Sequence, residues 1–170
     1  MMVPRLETER LVLRGHRAAD HAACCALWGH EAVTRFIGGR PSTGEEVWSR
    51  ILRYAGHWQM LGFGYFAVTE RGSDRVIGEV GLADFRRDIT PPLDAPEAGW
   101  VFHPDWHGKG LAREAVAALL DWADGRGMAR TLCLIDPDNE ASRGLALRLG
   151  FREAGRIDYH DQPSLLLRRE

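Results

Sequence analysis

The sequence predicts an α/β fold: one domain in which helices flank a mixed, mostly antiparallel sheet. Three observations carry this. Segments of strand-type alternation or continuous apolar character interleave with segments of helical period. One junction, residues 97–115, runs from an apolar strand through a short glycine loop straight into a long helical pattern. The chain of 170 residues, 45% hydrophobic and 27% charged, has an ordinary globular composition and is long enough to bury a core.

Residues 7–14 alternate around Leu11 and Leu13 and form a first strand. Asp20 is placed to N-cap a helix that runs through Trp28. Thr43 and Glu46 have capping-box spacing ahead of a second helix, with Val47, Ile51, Tyr54 and Trp58 on one face. Between these helices, Gly38, Gly39, Arg40 and Pro41 mark a loop. Gly64 to Glu70 and Arg75 to Ala83 are strands joined by a turn at 71–74. The proline-rich stretch 84–96 is an irregular surface loop. Glu97 to Phe102 is the strand that feeds the glycine loop. The helix beyond it buries Leu111, Ala115, Leu119 and Trp122 and stops near Gly125 and Gly127. Arg130 to Ile135 is a buried-type strand. Asn139 caps a helix through Leu149, with Gly150 as the terminating glycine. Residues 151–159 and 164–168 complete the sheet.

Composition narrows the function. A formal net charge of −2 does not suit a general nucleic-acid or membrane-surface binder. No apolar run approaches the ~18 residues of a membrane span, and no signal-peptide core opens the chain. Cys24, Cys25 and Cys133 are too few and too awkwardly spaced for a disulfide framework, so a reducing cytoplasm is expected. With no repeat, linker or low-complexity tract, residues 1–170 are expected to be a single domain.

The glycine loop is where the chemistry concentrates. A helix N-terminus leaves backbone N–H groups unpaired at the positive end of the macrodipole, which suits an anion such as a phosphate. Gly108 and Gly110 let the backbone approach a ligand, and Lys109 and Arg113 add positive charge. Leu111 directly after Gly110 excludes a Walker loop, and Arg113 stands where a dinucleotide fingerprint needs glycine or alanine.

The stretch resembles the pyrophosphate loop of the GNAT acyl-CoA N-acetyltransferases, Gln/Arg-x-x-Gly-x-Gly/Ala. His107, Gly110 and Ala112 fall on its signature positions, His107 being a departure from Gln or Arg. The opening phrase at residues 7–14, Glu-Thr-Glu-Arg-Leu-x-Leu-Arg, is similar to the start of the ribosomal-protein N-terminal acetyltransferase (Rim-type) branch. Asn139-x-x-Ser142 followed by Leu149-Gly150-Phe151 matches a third family pattern. Together the three motifs span nearly the whole chain in the family's order.

The resemblance implies a GNAT-like domain that moves an acetyl group from acetyl-CoA to an amine in a ternary complex, without a metal. It assigns His107, Gly108, Lys109, Gly110, Leu111, Ala112 and Arg113 to the cofactor phosphates. Val101 and Phe102 would bind the pantetheine arm and the thioester carbonyl through backbone groups, and Asn139 would reach the cofactor, cap its helix, or do both. Glu97 is the candidate general base, with Glu79 as its rival, and Ser142 the candidate acid. Many family members instead use a tyrosine where this chain has Ala146, which leaves Ser142 or water for that step. The acceptor is expected to be a protein or peptide N-terminal α-amine; the rivals are a small amine (polyamine, amino compound or antibiotic) and a catalytically silent CoA-binding module. Loops 30–42, 84–96 and 158–163 are expected to contact the acceptor; monomer and homodimer are both open. His103, Asp105 and His107 lie beside the anion loop, where a hard metal would compete with phosphate. Asp136–Asn139 hints at a calcium loop, but Ala141 and Leu147 stand where glycine and glutamate are required. Cys133, in an apolar strand, is expected to be an inert hydrophobe.

Overall fold

In a computed structural model the described residues are 2–170. They form one eight-stranded sheet in the order β1-β2-β3-β4-β5-β6-β8-β7. The strands are β1 (Leu6–Glu7), β2 (Leu11–Arg14), β3 (Tyr65–Glu70), β4 (Val76–Ala83), β5 (Glu97–Phe102), β6 (Thr131–Ile135), β7 (Arg152–Tyr159) and β8 (Gln162–Arg169). All neighbours run antiparallel except β5 and β6, which are parallel and joined by a crossover helix.

The expected first strand is broken in two. β1 and β2 fold back on each other, with Leu6 opposite Leu13. The Thr8 N–H donates to the Leu11 carbonyl at 3.0 Å, and the Leu11 N–H donates to Thr8 Oγ1 at 3.0 Å. Polar residues 8–10 therefore serve a turn, not a solvent-facing strand edge.

The helices are α1 (His21–Trp28), α2 (Glu31–Thr34), α3 (Gly44–Leu61), α4 (Leu111–Asp124) and α5 (Glu140–Arg148). The capping box on α3 forms as expected: Thr43 Oγ1 accepts the Glu46 N–H, and Glu46 accepts the Thr43 N–H. Val47, Ile51, Tyr54 and Trp58 are buried, and Gly62 at φ 75° ends the helix. α2 is a one-turn helix inside the stretch expected to be loop. Asp20 does not cap α1 with its side chain. Its carboxylate instead takes both ends of the Arg14 guanidinium, at 2.8 and 2.9 Å, and the Arg17 N–H at 2.7 Å.

Two main cores lie against the sheet, with a third, small cluster of Tyr54, Tyr65 and Ala83. The larger gathers Phe66, Val80, Leu82, Ala98 and Phe102 under Leu111, Ala115, Leu119 and Phe151; Trp122 is only half-buried at its edge. The other joins Cys24, Leu27 and Trp28 of α1 and Val47 and Ile51 of α3 to Ala67, Val76 and Val101. Successive side chains of a strand point to opposite faces, so β5 divides its residues between the two cores. α4 packs on one face and α1 with most of α3 on the other, while Trp58 near the end of α3 joins the α4 core beside Phe66 and Trp122.

Candidate active site

β5 pairs with β4 along its whole length but meets β6 at a single register point, Glu97 opposite Leu132. The Leu132 N–H donates to the Pro96 carbonyl at 3.0 Å, and past this point the strands diverge. The edge of β5 beyond it has no strand partner, and a slot opens toward the C-terminal ends of both strands. Backbone groups alternate sides along a strand. Since Pro96 faces β6, so do Ala98, Trp100 and Phe102. Odd positions face β4, as the His103 N–H to Ile77 carbonyl bond of 2.9 Å shows. Val101, opposite Glu79, thus turns its N–H toward β4, away from the slot. The edge groups belong to Trp100 and Phe102.

At the open end of the slot, Pro104–Trp106 makes a 3-10 turn capped by His103. The His107 Nε2–H then donates to the Phe102 carbonyl at 2.7 Å, folding the chain back over the strand end. Gly108 and Gly110 follow at φ 72° and 75°, a left-handed conformation that favours glycine. None of the hydrogen bonds of the described residues is donated by the backbone N–H groups of residues 108–113. A β-carbon on Gly108 would meet nothing within 4 Å, and one on Gly110 only Arg10 Nη2 at 3.5 Å. This is a concave row of donors at the N-terminus of a 14-residue helix. Lys109 and Arg113 stand exposed beside it.

The loop is braced by residues whose part the sequence did not reveal. Arg10 Nη1 donates to the Lys109 carbonyl at 2.9 Å, and Arg10 Nε donates to Glu114 at 2.7 Å. The same carboxylate accepts the Thr8 hydroxyl at 2.6 Å and the Arg10 N–H at 2.8 Å. Burial alone would raise the Glu114 carboxyl, but these donors hold it below the usual carboxylate range. The opening motif thus clamps the first turn of α4.

On the α1–α3 face, Glu79 is fully buried and accepts from Trp28 Nε1 at 2.9 Å and Tyr54 Oη at 3.1 Å, with His16 Nε2 at 3.1 Å. Burial pushes its carboxyl up, and His16 and Trp28 more than offset that, leaving it below its ordinary value. His16, Cys24 and Glu79 converge within 4.8 Å. Burial and the Glu79 charge push the Cys24 thiol up, which opposes the thiolate a soft metal would need. His103, Asp105 and His107 do not converge as a set: His103 caps its turn and His107 holds Phe102.

Glu97 lies at the closed end of the slot with both oxygens bound by Arg87 of the 84–96 loop, each at 2.8 Å. Tyr65, Gly81 and Gly99 stand in one row across β3, β4 and β5. The Tyr65 ring lies along that row: a β-carbon on Gly99 would fall 2.0 Å from its hydroxyl oxygen. Tyr54 stacks on Tyr65 at 4.5 Å and 8°.

α5 starts just past the end of β6, so its N-terminus and that of α4 share the open end of the slot. Asn139 Oδ1 accepts the Ser142 N–H at 3.1 Å. The Ser142 hydroxyl has no partner among the described residues. Ala146 is fully buried and brings no polar group there. Cys133 is 1% exposed, and burial pushes its thiol up to about 12.

Comparison with known proteins agrees with this architecture. Residues 10–152 match the acetyltransferase (GNAT) domain family. N-acetyltransferase YoaA of Bacillus subtilis is 29% identical over 156 residues, covering 91% of this chain and 86% of that protein. A GnaT-family acetyltransferase from Bordetella pertussis superposes with a TM-score of 0.85 at 32% identity, over 98% of this chain and 99% of that one. The ribosomal-protein-S5-alanine acetyltransferase of Vibrio fischeri shares the fold, with a TM-score of 0.74 at 21% identity over 98% and 96% of the two chains. No described helix is long and apolar enough to cross a membrane. With a splayed parallel strand pair beside an unpaired row of N–H donors, and with relatives of the same kind over nearly its whole length, this chain is an enzyme of the GNAT N-acetyltransferase family, which uses acetyl-CoA.

Proposed function

We propose that the protein transfers the acetyl group of acetyl-CoA directly to an α-amine, with a protein or peptide N-terminus as the leading acceptor. The carrying observation is the slot between β5 and β6 that opens onto the free N–H groups of residues 108–113. The donor row fits a pyrophosphate, with Gly108 and Gly110 leaving room and Lys109 and Arg113 supplying charge. His107 shapes the loop through Phe102, and Leu111 and Ala112 offer backbone donors. The strand edge of Trp100 and Phe102 fits an amide-bearing arm that completes the sheet. Asn139 has its amide N–H₂ free to reach the cofactor while its oxygen caps α5.

The Trp100 N–H is the edge donor closest to where the strands part. Directed at a thioester carbonyl, such a donor is worth about 3 kcal/mol to a developing oxyanion. Ser142, whose hydroxyl is free to rotate, relays a proton: it gives its hydroxyl proton to the departing thiolate and recovers one, through water, from the amine nitrogen, which sheds it as the amide forms. Glu97 is already neutralised by Arg87, which suits a residue that positions the 84–96 loop better than one that collects a proton. A base is needed little for an α-amine, since about a tenth is neutral at pH 7. A lysine amine is neutral in only about one molecule in 2,500.

The names of two structural relatives, a ribosomal-protein-S5-alanine acetyltransferase and a ribosomal L7/L12 alpha-N-protein acetyltransferase, favour a peptide N-terminus over a lysine or an antibiotic. The test is a mass-shift screen of peptides and small amines with labelled acetyl-CoA. Acetylation at the α-amine of peptides supports the reading; acetylation of lysine side chains alone sinks it.

A further inference from the structure

The α1–α3 side of the sheet beside Gly99 carries hydrogen-bond donors that the described residues satisfy only in part: Arg50 bonds the Tyr54 side chain and feels the Glu79 charge, but has donor capacity left. The Tyr65 hydroxyl donates to no described residue. Arg50 lies with its guanidinium 3.7 Å over the Trp28 ring, and its Nε is buried without a partner. Arg53, one turn further along α3, stacks on Phe85 at 4.7 Å. Neither arginine makes an ion pair among the described residues. Both lie near enough to the Tyr54–Tyr65 stack, whose Tyr65 hydroxyl sits on Gly99, to act on it electrostatically.

The neighbouring carboxylates are already matched. Glu79 is saturated by Trp28, Tyr54 and His16, Glu97 by Arg87, and Glu46 by Arg40. Glu45 is the uncompensated acid in the groove beside Arg50, exposed and five residues back along the helix, ~7.5 Å of rise. Burial, then the like charges of Arg50 and its neighbour Arg87, hold Arg53 below its ordinary value. Such a set is short of an anion. A polyamine would add positive charge to a pair of cations beside which the exposed Glu45 is the one uncompensated carboxylate.

We propose that the acceptor carries a carboxylate close to its reactive amine, and that Arg50, Arg53 and the Tyr65 hydroxyl bind this carboxylate. The inference rests on the acetyl-transfer reading and deepens it. Two sources share the chemistry: an acidic residue at the start of a peptide, and the carboxylate of a free amino acid. In both, anchoring the anion on the α1–α3 side leaves the amine facing the β5 edge.

The experiment compares initial rates for twins that differ by one carboxylate. A peptide with aspartate at its second position is set against its asparagine twin, a free amino acid against its amide, and spermidine serves as the cationic control. The carboxylate member of one pair is expected to win by about tenfold or more in kcat/KM, through KM, the size of a lost charge-assisted bond. The pair that shows the preference identifies the source. Arg53→Gln, at an exposed position, is expected to remove most of the preference, Arg50→Gln the remainder, and Arg50→Lys to restore part of it. The KM for acetyl-CoA should not move, and thermal melts verify folding. Equal use of the twins, better use of spermidine, or a preference that survives both substitutions overturns the proposal while leaving acetyl transfer standing. Tight acetyl-CoA binding with no acetylation of any amine overturns the reading beneath it as well.

Discussion

Tyr65 reaches across β4 to set its hydroxyl on Gly99 of β5, so closely that a β-carbon at residue 99 would lie 2.0 Å from the oxygen. Gly81 leaves the lane between them open, and Tyr54 holds the ring from above at 4.5 Å. Gly99→Ala must therefore displace a buried, stacked ring, at a cost of about 1–3 kcal/mol, typical of overpacking. Tyr65→Phe removes the clashing oxygen, and the next ring atom is 3.1 Å from the new carbon. The double variant is expected to recover part of the stability lost in Gly99→Ala, measured by denaturant unfolding as a double-mutant cycle. Strict additivity would show that the two residues do not share the lane.

Gly110→Trp is expected to abolish CoA binding while the chain stays folded. A side chain there projects from the donor row where the pyrophosphate would sit, and its only near neighbour is Arg10 Nη2. The positive φ adds strain of about 1 kcal/mol, too little to unfold an ordinary domain. Calorimetry with CoA and a thermal melt read the two effects separately. Retained micromolar affinity would remove the loop from the cofactor site.

Local signals carried far in the sequence, and long-range ones did not. The Thr43–Glu46 box, the buried face of α3 and the strand–loop–helix at 97–115 are legible because each rests on spacing or periodicity among residues near in sequence. Arg10 and Glu114 are 104 residues apart, and nothing in either neighbourhood announces the other. Arg87 lies in a stretch without periodicity, so its hold on Glu97 was invisible and Glu97 read as a free carboxylate. The parity of β5 was also hidden: which N–H groups face the slot depends on the single Glu97–Leu132 pairing, and a shift of one residue exchanges the sides. That is why Val101 was expected at the edge where Trp100 stands.

Glu97→Gln tests whether that carboxylate is a base or a brace. Losing the charge leaves the Arg87 guanidinium half-matched, so stability should fall by about 1–3 kcal/mol. The acceptor KM should rise as the 84–96 loop loosens, and the pH–rate profile should keep its shape. A loss of about 100-fold in kcat that is recovered as pH rises toward 9 would instead make Glu97 the general base.

Acid should weaken the fold through Asp20 and Glu79. Burial raises the Asp20 carboxyl, but Arg14 and the Arg17 N–H outweigh it and leave the group below its ordinary value. A carboxyl depressed in the folded state stabilises above its unfolded value, about 3.9, and loses that contribution as pH falls through the folded one. Melting temperatures are expected to drop below pH ~4. Asp20→Asn strands the buried Arg14 guanidinium, for about 3–5 kcal/mol, and should flatten the acid slope. An unchanged slope would place the acid-labile group elsewhere.

The route of transfer can be separated by kinetics. In direct transfer the amine attacks while CoA is still in the slot, so both substrates must be bound and initial-rate plots intersect. A cysteine route would load Cys133 first, release CoA, and give parallel, ping-pong plots. Cys133 is buried within β6 with its thiol pushed up to about 12, leaving little thiolate at neutral pH. Cys133→Ala is therefore expected to keep most activity. Ser142 stands at the N-terminus of α5 with an uncommitted hydroxyl, and the proposed transfer gives it the proton delivered to the departing thiolate. Ser142→Ala should lose about 100-fold in kcat, the lower end of the range for a positioned acid. Parallel plots, or an acetyl-enzyme that disappears in Cys133→Ala, would move the chemistry from Ser142 to the thiol.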